Sequence, residues 1–421
     1  MSLPAASRPS ILILTDYYLP GEKSGGLVRS LGNVVAWLGD DLDFFVITRD
    51  RDWSASKPYD LDNNVIWHTV GKARVFYDSQ LSSQTLRAKI REVHPDVLHL
   101  TSFFSPLARK ILLLRRAGLL PDLPLIISPI GQFTPGALGL KRLQKKLFMS
   151  FARATGLCRG VVWHASTALD AGYIRRFVGM SSTEAEPGIH IASDLPAPPD
   201  GRPLSSRVKI PGEVRLVFIS RIDRMKNLKF ALEMVLRLSG KVTFDIYGPS
   251  HDEECLRECS RLIAQAPDHI TITYQGPVDY SAVPVLLSQY HFFLLPTLGE
   301  NFGHVIFEAL AAGCPVIISD LTPWRDLAKK GIGFDLPLDD RASWERTLQS
   351  CVAMENSPYN LLSARARDFA IQWSLNPELR LHTLELYEIA IRLGAATTPG
   401  PVLDNSMGRN ESSGPFRTES K

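Results

Sequence analysis

This 421-residue chain holds five cysteines, an odd and scattered set. Such a set excludes a disulfide framework and points to a reducing compartment. Cys255 and Cys259 lie four apart, on one face of an expected helix. No second cysteine or histidine pair sits at zinc-finger spacing, so both read as structural. The formal net charge is only +3, too small for whole-chain attraction to nucleic acid. No apolar run approaches the roughly 18–20 residues of a spanning helix. The opening MSLPAASRPS lacks the apolar core of a signal peptide. The expectation is a cytoplasmic protein, peripheral on the inner face of the membrane at most. The dinucleotide fingerprint G-x-G-x-x-G is also absent.

What is present is alternation of strand and helix signals over a length suited to two domains. In the first half, ILILTD from Ile11 reads as a buried strand, followed by a loop with Gly25 and Gly26 and then a helix. LDFFVIT, PDVLHL, LPLIISP and VVWHAS supply further strands, with SFFSPLARKILLLRRAG a helix between them and His99 a core histidine. This is the pattern of a parallel, doubly wound sheet with ligands at the strands' carboxyl ends. Asp41 and Asp43 form a D-x-D string at the start of a strand, where turn and edge chemistry is expected rather than a metal site. Pro196, Pro198, Pro199, Pro203 and Pro211 mark a linker. The second half opens with VRLVFIS, then RIDRMKN, then a helix from about Leu228. VTFDIYGP ends at Gly248, where the edge of a nucleotide would pass, and ITITYQGPV comes next. A last amphipathic helix runs from Pro377 to Leu393, with Gly394 as its expected stop. The resulting division is a disordered lead at 1–9, an N-terminal domain at 10–192, a linker at 193–213, a C-terminal domain at 214–373, the final helix at 374–395 and a disordered tail at 396–421.

The most informative stretch is PTLGENFGHVIFEALAAGCPVIISD, Pro296 to Asp320. It reads as the end of a buried strand, a loop, a helix from about Gly303 to Ala312 stopped by Gly313, and the next buried strand. Glu300 lies in the loop, and Glu308 is placed about two helical turns beyond it. Backbone N–H groups of a helix N-terminus lie between them and favour an anion. Carboxylates beside an anion site fit a ligand with both phosphates and hydroxyls, and a nucleotide-sugar has both.

The pattern E-N-F-G-x-x-x-x-E followed by A-L-A-A-G-x-P-V-I resembles the group 1 glycosyltransferases (glycosyltransferase family 4). These are retaining enzymes of the GT-B fold, with two Rossmann-like domains facing across a cleft. The resemblance implies that Glu300 contacts the transferred sugar and Glu308 holds the ribose. Their motif neighbours Asn301, Phe302 and Gly303 would line the donor site. By the same resemblance Arg221 and Lys226 clamp the donor's pyrophosphate without a metal, and Gly25 and Gly26 face the diphosphate and acceptor. Gly276 to Val278 would seat the base, and the last helix would cross back to the first domain. No cofactor is implied. The implied partners are a nucleotide-diphospho-sugar donor and a glycan or lipid-linked acceptor.

Two departures stand out. Where a subset of the family reads P-R-G-E-F-S-P-G-A-L, this chain has Ile130 for the Arg and Gln132 for the Glu. Gln132 can hydrogen-bond a sugar hydroxyl but cannot act as an acid or base. A family P-N pair is replaced by Ala192 and Ser193. These keep a non-catalytic nucleotide-sugar-binding subunit as a rival, beside an epimerase of the same fold. Read as one helix, ALGLKRLQKKLFMSFAR puts Leu140, Leu143, Leu147, Phe148 and Phe151 on one side. Lys141, Arg142, Lys145, Lys146 and Arg153 fall on the other. The bland reading is a core helix with a solvated basic face. The sharper one rests Lys141, Arg142, Lys145 and Lys146 on an anionic membrane.

Overall fold

The computed structural model describes residues 8–21, 25–61, 66–139, 141–179, 188–197 and 207–397. Most of the expected lead and tail, and residues 198–206 of the expected linker, lie outside these. The N-terminal half contains β1 (Ser10–Leu14), α1 (Gly26–Leu38), β2 (Asp43–Thr48), β3 (His68–Val70), β4 (Ala73–Tyr77), α2 (Ser83–Val93) and β5 (Val97–Leu100). It continues with α3 (Pro106–Arg116), β6 (Leu125–Ile127), α4 (Pro135–Gly139), α5 (Arg142–Ala154), β7 (Val161–Ala165), α6 (Ala168–Val178) and β8 (Ile189–Ile191). The C-terminal half runs β9 (Glu213–Ile219), α7 (Leu228–Val235), β10 (Lys241–Tyr247), α8 (Glu253–Ile263), β11 (Ile270–Gly276), α9 (Val283–Leu287), β12 (Phe292–Leu295) and α10 (His304–Ala311). It closes with β13 (Val316–Ser319), α11 (Leu327–Lys330), β14 (Gly333–Leu336), α12 (Arg341–Ala353), α13 (Asn356–Ser374) and α14 (Pro377–Thr397).

Among the described residues, eight strands form one sheet in the order β3-β4-β2-β1-β5-β6-β7-β8 and six form another, β11-β10-β9-β12-β13-β14. The first sheet is parallel except at its edge, where β3 pairs antiparallel with β4. That hairpin departs from the all-parallel expectation. In β1, Leu12 and Leu14 enter the core on one face of the sheet while Ile11 and Ile13 enter the core on the other. This period of two, apolar at every position, marks a strand covered on both faces. The C-terminal sheet has its own core, built around Val217, Phe293 and Ile317.

The final helix crosses back. Leu379, Leu386, Tyr387 and Ala390 of α14 pack into the N-terminal core, and Arg380 pairs with Asp41. Asp43 pairs with Arg8 at 2.6 Å, so both acids of the D-x-D string are held in ion pairs at the amino end of β2 rather than at a ligand-bearing carboxyl end. Gly394 does not stop the helix. A Cβ there would lie 2.6 Å from Pro124 Cγ, so its bare backbone lets α14 close on the first domain.

A buried relay reinforces this docking. His164 Nε2 lies 2.8 Å from the Ala192 carbonyl and must donate to it, so its Nδ1 accepts from Ser128 Oγ at 2.7 Å. Ser128 in turn accepts from His99 Nε2 at 2.7 Å, leaving His99 Nδ1 to accept from the Tyr387 hydroxyl at 3.1 Å. The polarity is fixed from end to end, with both histidines neutral.

The linker's far end is not loose. Arg207 is buried, with no carboxylate partner among the described residues. It donates to the carbonyls of Leu287 and Tyr290 beyond α9, and of Ala312 (2.9 Å) and Gly313 (2.7 Å) beyond α10. Lys209, also buried, reaches the Val352 and Met354 carbonyls at the end of α12, at 2.9 and 3.1 Å. Cations at helix C-termini answer both the orphan carbonyls and the dipole.

The stretch expected as one basic amphipathic helix is two, α4 and α5, with Lys141 in the left-handed region at φ 52°. Its faces are also mixed: Phe148 packs inward on Phe103 at 5.1 Å, as expected, but much of the apolar side does not. Leu143, Leu147 and Phe151 point outward, 72, 63 and 47 % exposed. Lys145 turns inward, giving its ammonium to the Ala137 carbonyl at 2.6 Å above the Phe104 ring. Arg153 likewise lies over Phe177 and donates to its carbonyl and to that of Arg176. Lys145 therefore leaves the solvated basic face, while Arg153, though held by these contacts, stays exposed like Lys141, Arg142 and Lys146. Leu140 lies outside the described residues.

Burial drives His99 down to about 3, with His164 beside it, and also depresses His164. A base with a depressed folded pKa contributes stability that is complete above its unfolded value of about 6.5. That contribution is lost as pH falls toward the folded value. The urea midpoint of the wild type should drop between about pH 6.5 and pH 4, and His99→Gln should be less stable at pH 7 with a shallower drop. An identical pH slope in both proteins would remove His99 from the acid response.

Candidate active site

The site grows from two loops at the carboxyl ends of β9 and β12, adjacent strands of the C-terminal sheet. Thr297 Oγ1 and the Leu298 N–H both reach the Met225 carbonyl, at 3.1 and 2.8 Å. Asn227 Nδ2 donates to the Pro296 carbonyl at 2.9 Å. This stitching brings Lys226 Nζ onto Glu300 Oε1, with little of either side chain exposed. Arg221, on the same loop, is 43 % exposed and pairs only loosely with Asp223 at 3.7 Å.

Gly303 at φ 81° turns the chain from this loop into α10, and no side chain caps the helix. The Ile306 and Phe307 N–H groups donate to the Gly303 carbonyl at 2.9 and 3.3 Å, which leaves the His304 and Val305 N–H groups for a ligand. Glu308 is the fifth residue of α10, little more than one turn in. The Phe302 ring, expected beside the donor, is instead buried against Trp324 at 5.3 Å and His304 at 4.8 Å. Its role is to hold the loop. Gly248 is required by packing, since a Cβ there would lie 1.8 Å from the Ser220 carbonyl, just before Arg221. Val278 packs on the edge of the C-terminal core two residues before Tyr280.

The N-terminal domain meets this wall directly. Arg29 Nη1, from the first turn of α1, lies 2.9 Å from both oxygens of Glu308, and its guanidinium sits 4.0 Å over the Tyr280 ring. Burial, and then the Glu308 carboxylate, push the Tyr280 phenol up to about 12. Ser30 Oγ is 2.8 Å from His304 Nε2, and burial lowers the His304 pKa. A Cβ on Gly26 would lie 3.6 Å from His304, whereas one on Gly25 would meet open space. Asn301 Nδ2 donates to Ser166 Oγ at 2.9 Å, with Gly131 packed against the Asn301 side chain. Beneath them, the buried Asp170 accepts from the Ser166 and Gly131 N–H groups, and its carboxyl is pushed up to about 6 by burial. Gln132 turns away from this contact. Its Oε1 accepts from the Phe103 and Phe104 N–H groups at 2.9 and 3.3 Å and from Ser102. The expected sugar contact is thus spent on the Ser102–Phe104 turn.

Lys226, Glu300, Asn301, Gly303, Glu308 and Gly26 are thereby gathered on one cleft, with Arg221 and Gly248 at its rim. Arg29, Ser30, Ser166, Asp170, Tyr280 and His304 had no functional signal of their own. Arg29 stands one turn beyond Gly25 and Gly26, and His304 lies inside the motif itself. Among the described residues, no group of three His, Cys, Asp or Glu side chains could hold a metal.

Two parallel-sheet domains closed over a charged cleft, with uncapped helix N-termini at the strand ends, define a nucleotide-type binding architecture. Comparison with known proteins specifies it. Residues 213–353 match the family model for group 1 glycosyl transferases. Sucrose-phosphate synthase from Thermosynechococcus elongatus superposes with a TM-score of 0.69 at 16 % identity, covering 93 % of this chain and 100 % of that one. Anabaena Alr3699/HepE, solved in complex with UDP and glucose, gives 0.64 at 15 % identity, covering 90 and 100 %. The phosphatidyl-myo-inositol mannosyltransferase of Mycobacterium leprae is 28 % identical over 176 residues, 39 % of this chain and 43 % of that protein. The chain thus matches less than half the length of this curated relative. Residues 213–353 thus resemble the group 1 glycosyltransferases, and the chain has the GT-B fold.

Gly248 offers a structural check. Gly248→Ala should destabilise the C-terminal domain by about 1–3 kcal/mol through strain at φ 138° and the clash with Ser220. A wild-type melting temperature in that variant would show that the β9–β10 loops can part freely.

Proposed function

We propose that this chain is a retaining glycosyltransferase that moves a sugar from a nucleotide-diphospho-sugar to a glycan or lipid-linked acceptor, in cell-surface polysaccharide or glycolipid synthesis. The observation that carries the donor half is the convergence of Lys226, Glu300, Glu308 and the uncapped start of α10. A diphosphate at that helix terminus gains the dipole and the exposed cation of Arg221, while Glu308 accepts from ribose hydroxyls. Lys226 then stands between Glu300 and the diphosphate. It neutralises charge accumulating on the leaving group, and Glu300 orients both it and the sugar. Fixed cations of this kind stabilise departure without a metal, each worth on the order of 3 kcal/mol of barrier. No enzyme nucleophile is required if departure and attack occur on the same face of the sugar.

The acceptor half is supported by the N-terminal domain's surface. The outward stripe Leu143, Leu147, Phe151 beside Arg142 and Lys146 is the pattern of a helix lying in a membrane interface. Among the described residues no helix is long and apolar enough to cross a membrane. Under α5 lies a cavity of about 290 Å³ lined by Phe133, Leu138, Met149, Tyr173, Arg176 and Phe177. Its apolar lining suits part of a lipid chain, and Phe133 comes directly after the loop that touches Asn301.

Two experiments test this reading. Glu308→Ala should weaken nucleoside diphosphate binding by calorimetry, whereas Glu300→Ala should retain binding yet lose transfer. The reverse pattern would exchange their roles, and donor binding without transfer to any acceptor would favour a binding subunit. The protein should also sediment with anionic vesicles at low salt and be released at high salt, each cation adding about 1 kcal/mol. Lys141, Arg142 and Lys146 changed together to Gln, or Leu143 and Leu147 changed together to Gln, should each abolish sedimentation while leaving donor binding intact. Unchanged sedimentation in both variants would exclude α5 as the membrane face.

A further inference from the structure

Arg29 is bonded as a nucleoside would be. Its planar guanidinium lies 4.0 Å over the Tyr280 ring, a place suited to a flat base. The same group contacts both oxygens of Glu308 at 2.9 Å, which is what a ribose diol would otherwise do. It comes from the opposite domain, 279 residues away in sequence. The subsite formed by Glu308 and Tyr280 is therefore filled by the protein itself.

We infer that Arg29 is a donor-positioning and specificity-determining residue that exchanges partners when donor binds. It yields Glu308 and Tyr280 to the nucleoside and takes the diphosphate as its new counter-charge. The inference rests on the donor reading above. The physical reason for exchange is charge conservation. Glu308 is buried and the Arg29 side chain is only 22 % exposed, so neither charge can be stranded in the cleft. A nucleoside can satisfy Glu308 with hydroxyls, but it leaves the guanidinium unanswered. A nucleoside diphosphate supplies both the hydroxyls and a dianion. The geometry allows the move, because Arg29 is one turn along α1 from Gly26, and Gly26 faces His304 at the start of α10. Arg29 thereby admits phosphorylated ligands and rejects bare nucleosides, and the exchange draws α1 over the diphosphate.

The test is calorimetry with the five common nucleoside diphosphates and their matching nucleosides on wild type, Arg29→Ala and Arg29→Lys. In wild type one diphosphate should bind and its nucleoside should bind far more weakly. In Arg29→Ala the nucleoside should bind about tenfold tighter than to wild type, because Glu308 and Tyr280 are vacant, while the diphosphate weakens. The ratio of the two affinities should fall by more than tenfold. Arg29→Lys, which keeps the charge without the fork, should retain most of the ratio. A diphosphate that binds wild type, with a nucleoside no tighter on Arg29→Ala, would overturn the exchange and leave the donor site standing. Failure of every diphosphate on both wild type and Arg29→Ala would overturn the donor site and this inference together.

Discussion

A carboxylate in the first turns of a buried helix faces a desolvation cost that only a partner can offset, and the cleft is arranged around that requirement. Glu308 sits on α10 beneath the point where the two domains meet, and Glu300 sits in the loop that leads there. Each is answered by one cation, Lys226 from the neighbouring loop and Arg29 from the opposite domain. The first pairing is internal to the C-terminal wall and fixes the loop. The second spans the cleft, so the closed arrangement is in part a consequence of burying Glu308. Ser30 with His304 and Asn301 with Ser166 then complete a polar seam along the same line.

Much of this was legible in order along the chain. The strands read as apolar runs because both sheet faces are covered, and the loop and helix start between Glu300 and Glu308 were legible because they are local. Loop, glycine and helix start lie within nine residues there. What the sequence hid was long-range. Arg29 is an ordinary helix cation until a domain almost three hundred residues later closes over it. His99 was legible as a core histidine, but its part in a relay ending on Tyr387 needed the crossing of α14. The proline-rich linker concealed Arg207 and Lys209 for a related reason. Their partners are backbone carbonyls at helix ends, which carry no sequence identity.

The region around α5 shows a different limit. Periodicity separates an apolar side from a basic side, but it does not say which side faces the domain. The core below α5 is crowded by Phe103, Phe104, Phe133 and Trp163, packed edge-on or tilted against one another. It accepts Phe148, Met149 and Ala152, and the stems of Lys145 and Arg153, whose heads find carbonyls and ring faces. With that surface occupied, Leu143 and Leu147 are left outward. Aromatic density beneath a helix can therefore rotate it away from the orientation that hydrophobicity alone would assign.

The polar contacts of this protein divide into two kinds by what could replace them. Arg207, Lys209 and the His164–Ser128–His99–Tyr387 relay satisfy buried groups of the scaffold, and no ligand reaches them to offer an alternative. Disrupting them strands carbonyls or imidazoles in the core. The cleft contacts are made by the same chemistry at similar burial, but on the proposed donor reading those at Glu308, Tyr280 and Lys226 lie where a nucleotide-sugar would bring an equivalent group. Hydroxyls can stand in for the guanidinium at Glu308, a base for its plane over Tyr280, and phosphate oxygens for the carboxylate at Lys226. Exchangeability thus does not depend on weak bonds. It depends on a ligand that matches the protein's own partners group for group, so that each buried charge is answered both before and after binding.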